Sequence, residues 1–175
     1  MRFFSFILFF FAFQFAAAEP LPAVCGAVRC TEKMVAIENG LYAGTHVERE
    51  DLPAVYSGEC YYHSPNYDPN TTHYGLVLLE TRDSQIFFNG IFRFFSPQNP
   101  WADWTIEDAR NRIGNTFRYP VAEFANYSFV DLSHDGANSI WKYWMSQDPQ
   151  TKSVYLVFFW GYWQQGFCEL KMHGR

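Results

Sequence analysis

After residue 18 the chain contains no apolar run of the roughly 20 residues that a spanning helix needs, and it nowhere gathers lysine and arginine into a cluster. The first absence predicts no membrane span in this part of the chain. The second argues against non-specific nucleic-acid binding, whose affinity comes mostly from neutralising phosphates. Basic residues are scattered, and the largest group is Arg110, Arg112 and Arg118. The G-x-S-x-G elbow, the P-loop, G-x-G-x-x-G and H-E-x-x-H are all missing, which removes the usual signatures of serine hydrolases, phosphate cradles, dinucleotide sites and zinc proteases. Ser133-His134-Asp135 holds triad residue types, but consecutive residues cannot align as nucleophile, base and orienter. The five histidines stand singly at 46, 63, 73, 134 and 173, so neither a metal nor a cofactor is expected. Glu59 and Glu123 are the carboxylates nearest aromatic clusters, with no pairing visible in sequence.

What the chain does have begins with a leader. Arg2 supplies a positive charge, Phe3 to Phe15 is apolar except for Ser5 and Gln14, and Ala16-Ala17-Ala18 offers small residues before Glu19-Pro20. An apolar core of about 13 residues with a small-residue exit reads as a signal peptide over 1–18. The expected product is a secreted, extracellular domain of residues 19–175, with delivery into a host cell a further option. Eight of nineteen phenylalanines leave with the leader, and losing Arg2 moves the formal charge from −5 to −6. The remaining part keeps all eleven tyrosines and six tryptophans, enough for an aromatic core and some contact surface.

Four cysteines follow the leader, at 25, 30, 60 and 168. In an oxidising compartment they read as two disulfides with three connectivities open. Cys60–Cys168 with Cys25–Cys30 is favoured, the long loop contributing about 4 to 5 kcal/mol in the chain-entropy picture. Metal binding is the weaker alternative, because Cys25-x4-Cys30 has no second close pair. Asn70-Thr71-Thr72 and Asn126-Tyr127-Ser128 are glycosylation sequons, making Asn70 and Asn126 acceptor candidates.

Residues 19–53 read mostly as loop, with one short strand near Met34–Glu38. Strands are expected at Tyr74–Glu80 and Gln85–Phe88, with Asn89-Gly90 as a hairpin turn before Ile91–Phe95. Asp103–Ile113 is the main helix, with Thr105-x-x-Asp108 as capping box and Gly114 after its end. Phe129–Leu132, Ile140–Met145, Val154–Trp160 and Phe167–Met172 complete an antiparallel sheet. The expected fold class is α+β, one main helix packed on that sheet with an extra N-terminal segment and hairpin. A small all-β barrel is the alternative.

From the helix onward the order of features resembles the small secreted fungal ribonucleases. Tyr119-Pro120 follows the helix, and Phe124-Ala125-Asn126-Tyr127-Ser128-Phe129 stands where those guanyl-preferring enzymes carry a base-recognition loop. Aromatic strands then close on Gly166-Phe167-Cys168. The match spans roughly Trp101–Cys168, and the resemblance implies a ribonuclease-like core over about 56–172. It also implies that catalysis is lost. The first catalytic histidine falls on Val121, the general-base glutamate on Tyr143 or Lys142, and the arginine on Tyr155. The last histidine falls within Tyr162–Gln165, which has none. No acid, base or phosphate cation remains for RNA cleavage. Ribonuclease-like proteins lacking these residues are secreted by plant-pathogenic fungi.

The resemblance implies a monomeric, non-catalytic interaction protein, an effector that binds a host protein or, less favoured, RNA. Asn126, Tyr127, Tyr143 and Tyr155 are then the candidate binding residues. Two further classes stand beside it: a secreted small-ligand-binding β-barrel with an aromatic-lined cavity, and a hydrolase of unrecognised type. A carrier should enclose a ligand, whereas an interaction protein should show an exposed aromatic patch.

Overall fold

A computed structural model describes residues 20–64, 68, 72–93, 105–113, 119–132, 141–160 and 164–174. A loop closed by the Cys25–Cys30 disulfide leads into helix α1, Glu32–Ala43. The Thr31 hydroxyl caps the helix, accepting from the Met34 N–H at 3.4 Å. Met34, Ile37 and Leu41 recur at i, i+3 and i+7 and are buried. The strand expected at Met34–Glu38 is therefore helix. Glu38, on the same buried side, interrupts the apolar stripe in sequence but has a structural task. Its carboxylate accepts the N–H groups of Val24 at 2.6 Å and Cys25 at 3.2 Å, tying the disulfide loop to the helix.

The strands are β1 (Ala54–His63), β2 (Thr72–Arg82), β3 (Gln85–Arg93), β4 (Tyr119–Pro120), β5 (Ala122–Glu123), β6 (Ser128–Asp131), β7 (Trp141–Gln147), β8 (Val154–Trp160) and β9 (Gln164–Gly174). A second helix, α2 (Ile106–Ile113), precedes β4. The strands form one antiparallel sheet in the order β4-β3-β2-β1-β9-β8-β7-β6-β5. Its two edges belong to neighbouring residues: β4 pairs with β3, β5 pairs with β6, and the Val121 N–H between them donates to the Ile86 carbonyl at 2.9 Å. The sheet thus bends into a nearly closed barrel.

This overturns the α+β expectation of a main helix packed on a ribonuclease-like sheet. Both helices are short and lie against the outside of the barrel. The segment Tyr74–Phe95, which resembled an insertion, supplies barrel strands as far as Arg93, and β1 was not anticipated at all. Its inner face (Tyr56, Cys60, Tyr62) and its outer face (Val55, Ser57, Tyr61) are both buried, so apolar and polar residues do not alternate cleanly along it. Asn89-Gly90 is no turn either. Both residues sit in the ladder opposite Leu78 and Val77. The β2–β3 turn falls at Asp83-Ser84, whose φ angles of 49° and 62° match the mirror-image turns that hairpins favour. The Thr105–Asp108 capping box does form, Thr105 N–H donating to Asp108 Oδ2 at 3.0 Å and Asp108 N–H to Thr105 Oγ1 at 3.2 Å. Ser133-His134-Asp135 lies outside the described residues.

Three clusters of buried side chains hold this arrangement. Inside the barrel are Tyr56, Val77, Leu79, Phe88, Tyr143, Met145, Leu156 and Phe158. Under α1, on the outer face, Met34, Ile37 and Leu41 meet Tyr61, Phe129, Trp144, Val157 and Phe167. Under α2, Ala109 meets Val55, Tyr74, Leu76 and Leu78. The Cys60–Cys168 disulfide joins directly opposed residues of β1 and β9 within the first cluster. Among the described residues no helix is long and apolar enough to cross a membrane.

Replacing Glu38→Ala strands two amide donors at the foot of the Cys25–Cys30 loop. Each unsatisfied buried donor costs about 1–3 kcal/mol. Urea unfolding should show a loss of that order, with the far-UV spectrum of the folded state unchanged; an unchanged midpoint would contradict the tethering role.

Candidate functional site

The described interior of the barrel is occupied by its own rings. Tyr143 lies 5.1 Å from Phe88, 5.7 Å from Phe92 and 5.2 Å from Phe158, measured between ring centroids. Tyr62 stands edge-on to Phe158 at 5.7 Å and to His73 at 4.6 Å. At the other end, the Gln147 side-chain amide donates to Asp51 at 3.3 Å and to the Tyr56 hydroxyl at 3.4 Å. Lys152 pairs there with both Glu48 and Asp51. Hydrogen bonds to those two carboxylates hold the Lys152 ammonium above its ordinary pKa.

The four residues read as candidate binding positions do not converge. Tyr143 is buried in the interior, where desolvation pushes its phenol far above the ordinary range. Tyr155 points outward from β8 beneath α1. A Cβ on Gly40 would come within 2.7 Å of its ring, so the helix needs glycine at that crossing. Burial, and then the charge of Glu169, raise the Tyr155 pKa. Asn126 and Tyr127 occupy the bend between β5 and β6, Asn126 exposed and Tyr127 half-buried against the Phe124 ring at 4.9 Å. Asn126 is placed where a glycan would meet solvent, whereas Asn70 lies outside the described residues. Both disulfides have the favoured connectivity.

A recess of about 390 Å³ opens instead on the outer face, beside the first turns of α1. Its floor is the outward side of β1 and β9: Ser57, Glu59 and Tyr61 from one strand, Glu169, Lys171 and His173 from the other. Lys33, Ala36 and Ile37 of α1 form one wall, and Tyr74 of β2 stands opposite. Register sets the pattern. Glu59 faces Glu169 directly, Ser57 faces Lys171, and Tyr74 lies on the other flank of Glu59. Like charges directly opposed on neighbouring strands repel. The Tyr61 hydroxyl donates to Glu59 Oε2 at 2.5 Å, which relieves only one of the two. Lys33, Lys171, Glu59 and Glu169 enter no ion pair among the described residues.

His173 Nε2 lies 2.6 Å from Ser57 Oγ and 3.4 Å from the Ser57 carbonyl oxygen. A nucleophile and its base stand at this distance, but two oxygens at one ring nitrogen suit an Nε2–H that donates. Ser57 is only 1% exposed, and β1 is paired on both edges, which commits its amides to the ladder rather than to an oxyanion. The pair therefore reads as a structural hydrogen bond on the cleft floor. Among the described residues no group of three or more His, Cys, Asp or Glu is placed to hold a metal ion.

Of these floor residues the sequence raised Glu59, as a carboxylate near an aromatic cluster, and His173, as a lone histidine; neither was read as a binding position. The signal available was a period-two run in β9, Glu169-x-Lys171-x-His173, which puts three ionisable groups on one face. Its register with Ser57-x-Glu59-x-Tyr61 is invisible without the fold. No family model, no curated protein and no solved structure matches the chain.

Inside the barrel, burial lowers the His73 pKa below its ordinary 6.5, because the charged ring is poorly solvated there. The unfolded chain then takes up this proton first, so the stability cost is absent above pH 6.5 and grows as pH falls below it. His73→Phe keeps a ring against Tyr62 and removes the titration. Melting temperatures followed from pH 7 to 5 should fall less steeply in the variant than in the parent; equal slopes would show that His73 does not set this dependence.

Proposed function

We propose that residues 19–175 form a secreted β-barrel that binds a small ligand, and that the ligand sits in the outer cleft between α1 and strands β1 and β9 rather than in the barrel interior. The observation that carries this reading is the recess itself. Its volume of about 390 Å³ lies within the range of small-molecule sites, and its walls combine apolar surface with a few converging polar groups. Four ionisable groups at its surface enter no ion pair among the described residues. An interaction protein built on an aromatic patch has less support. Among the described residues the exposed large hydrophobics are Val35 and Tyr42, both on α1. Secretion rests on the leader-like first 18 residues together with the two disulfides.

The test is a thermal-shift screen of a small-polar-molecule library against the 19–175 chain and its Ala36→Trp variant. Ala36 is exposed on the cleft wall, so the indole fills the recess without entering the core. A ligand at a hundred times its Kd stabilises by about 2.7 kcal/mol, several degrees for a domain of this size. Hits that stabilise the parent and not Ala36→Trp are expected. Hits indifferent to the substitution, or none at all, would contradict the cleft as the site.

A further inference from the structure

Resting on that reading of the cleft, we infer that its ligand is a small zwitterion, an α-amino acid with an apolar side chain. The argument is one of charge placement. The floor carries two carboxylates, Glu59 and Glu169, set against each other by the β1–β9 register. Two residues further along β9, on the same face, Lys171 supplies a positive charge, about 7 Å away at the backbone. Lys33 reaches the same recess from α1. Lys171 thus stands one side-chain spacing from the carboxylate pair along β9, and none of the four groups is neutralised by an ion pair among the described residues.

An ammonium between Glu59 and Glu169 turns a repulsive pair into a bridged one, and its three donors exceed what the Tyr61 hydroxyl supplies. A carboxylate at Lys171 satisfies the other end. A ligand with only a carboxylate leaves the two glutamates facing each other, and one with only an ammonium leaves Lys171 without a counter-charge. The remaining lining is apolar, from Ala36 and Ile37 of α1 and the rings of Tyr61 and Tyr74. That surface fits an apolar side chain and offers nothing to a third charge. Ser57 and His173 satisfy each other on the floor and need no ligand.

The probes are L-phenylalanine, L-phenylalaninamide (ammonium only) and N-acetyl-L-phenylalanine (carboxylate only), each titrated into the isotope-labelled 19–175 chain and followed by amide shifts of β1 and β9. Saturable shifts at Glu59, Glu169 and Lys171 are expected with L-phenylalanine, with both analogues at least tenfold weaker. Glu59→Gln, Glu169→Gln and Lys171→Met should each weaken L-phenylalanine at least tenfold. All three positions are exposed, and the glutamine variants remove a like-charge contact, so their melting temperatures should hold or rise. If one analogue binds at the cleft as tightly as L-phenylalanine, the zwitterion is overturned while the cleft as a ligand site stands. If L-phenylalanine leaves the cleft amides unmoved while another small molecule shifts them, the amino-acid class is wrong. If nothing moves them, the cleft reading fails with it.

Discussion

The pairing of β1 with β9 is the contact on which the rest depends. It joins the hairpin β2–β3 on one side to the meander β8-β7-β6 on the other, and without it the ladder splits into two parts that meet only around Val121, between β4 and β5. Side chains alternate across a strand, so this register also decides which residues face the core and which face the helices. Cys60 opposite Cys168 fixes the inner face; Glu59 opposite Glu169 is then obligatory on the outer one. A slip of one residue in β9 would turn Cys168 outward, away from Cys60, and Glu169 inward. The close approach of the two backbones leaves no room at Gly58, where a Cβ would meet the Glu169 carbonyl oxygen at 2.1 Å.

From that register the site follows in steps. The barrel buries its rings inside, which leaves the outer face of β1 and β9 to be covered by something else. Helix α1 covers part of it, seated where Gly40 meets Tyr155 and where Ser146 donates to the Gly40 carbonyl at 3.2 Å. Apolar residues of the outer face lie under the helix, and the charged ones stay beside its first turns. The cleft is what the helix leaves uncovered. Its polarity is the polarity that the sequence could not place inside the barrel.

Local signals were read well where they are local. The Thr105–Asp108 cap and the strands from Phe129 onward needed only short-range chemistry, and the expectation of two disulfides needed only compartment logic. The failures share a cause. Asn89-Gly90 has strong turn propensity, yet its neighbours Phe88 and Phe92 both pack within the barrel and hold the segment extended. β1 and α1 bear buried residues on more than one side, or a buried glutamate with a structural partner, and so show no clean period. The ribonuclease resemblance followed element order, which does not distinguish a helix laid on a sheet from a helix laid on a barrel. Tyr143 and Tyr155, which that analogy set at two catalytic positions, lie on opposite faces of the sheet. The cleft was not legible because its two halves lie about a hundred residues apart and meet only through register.

The measurement that bears most directly on this account is the disulfide connectivity of the 19–175 chain, by proteolysis without reduction and mass spectrometry of the linked peptides. The register described here predicts one peptide pair joining Cys60 to Cys168 and a loop joining Cys25 to Cys30. A link from Cys25 or Cys30 to Cys60 or Cys168 would remove the β1–β9 rung, and with it the opposed carboxylates on which the cleft is built.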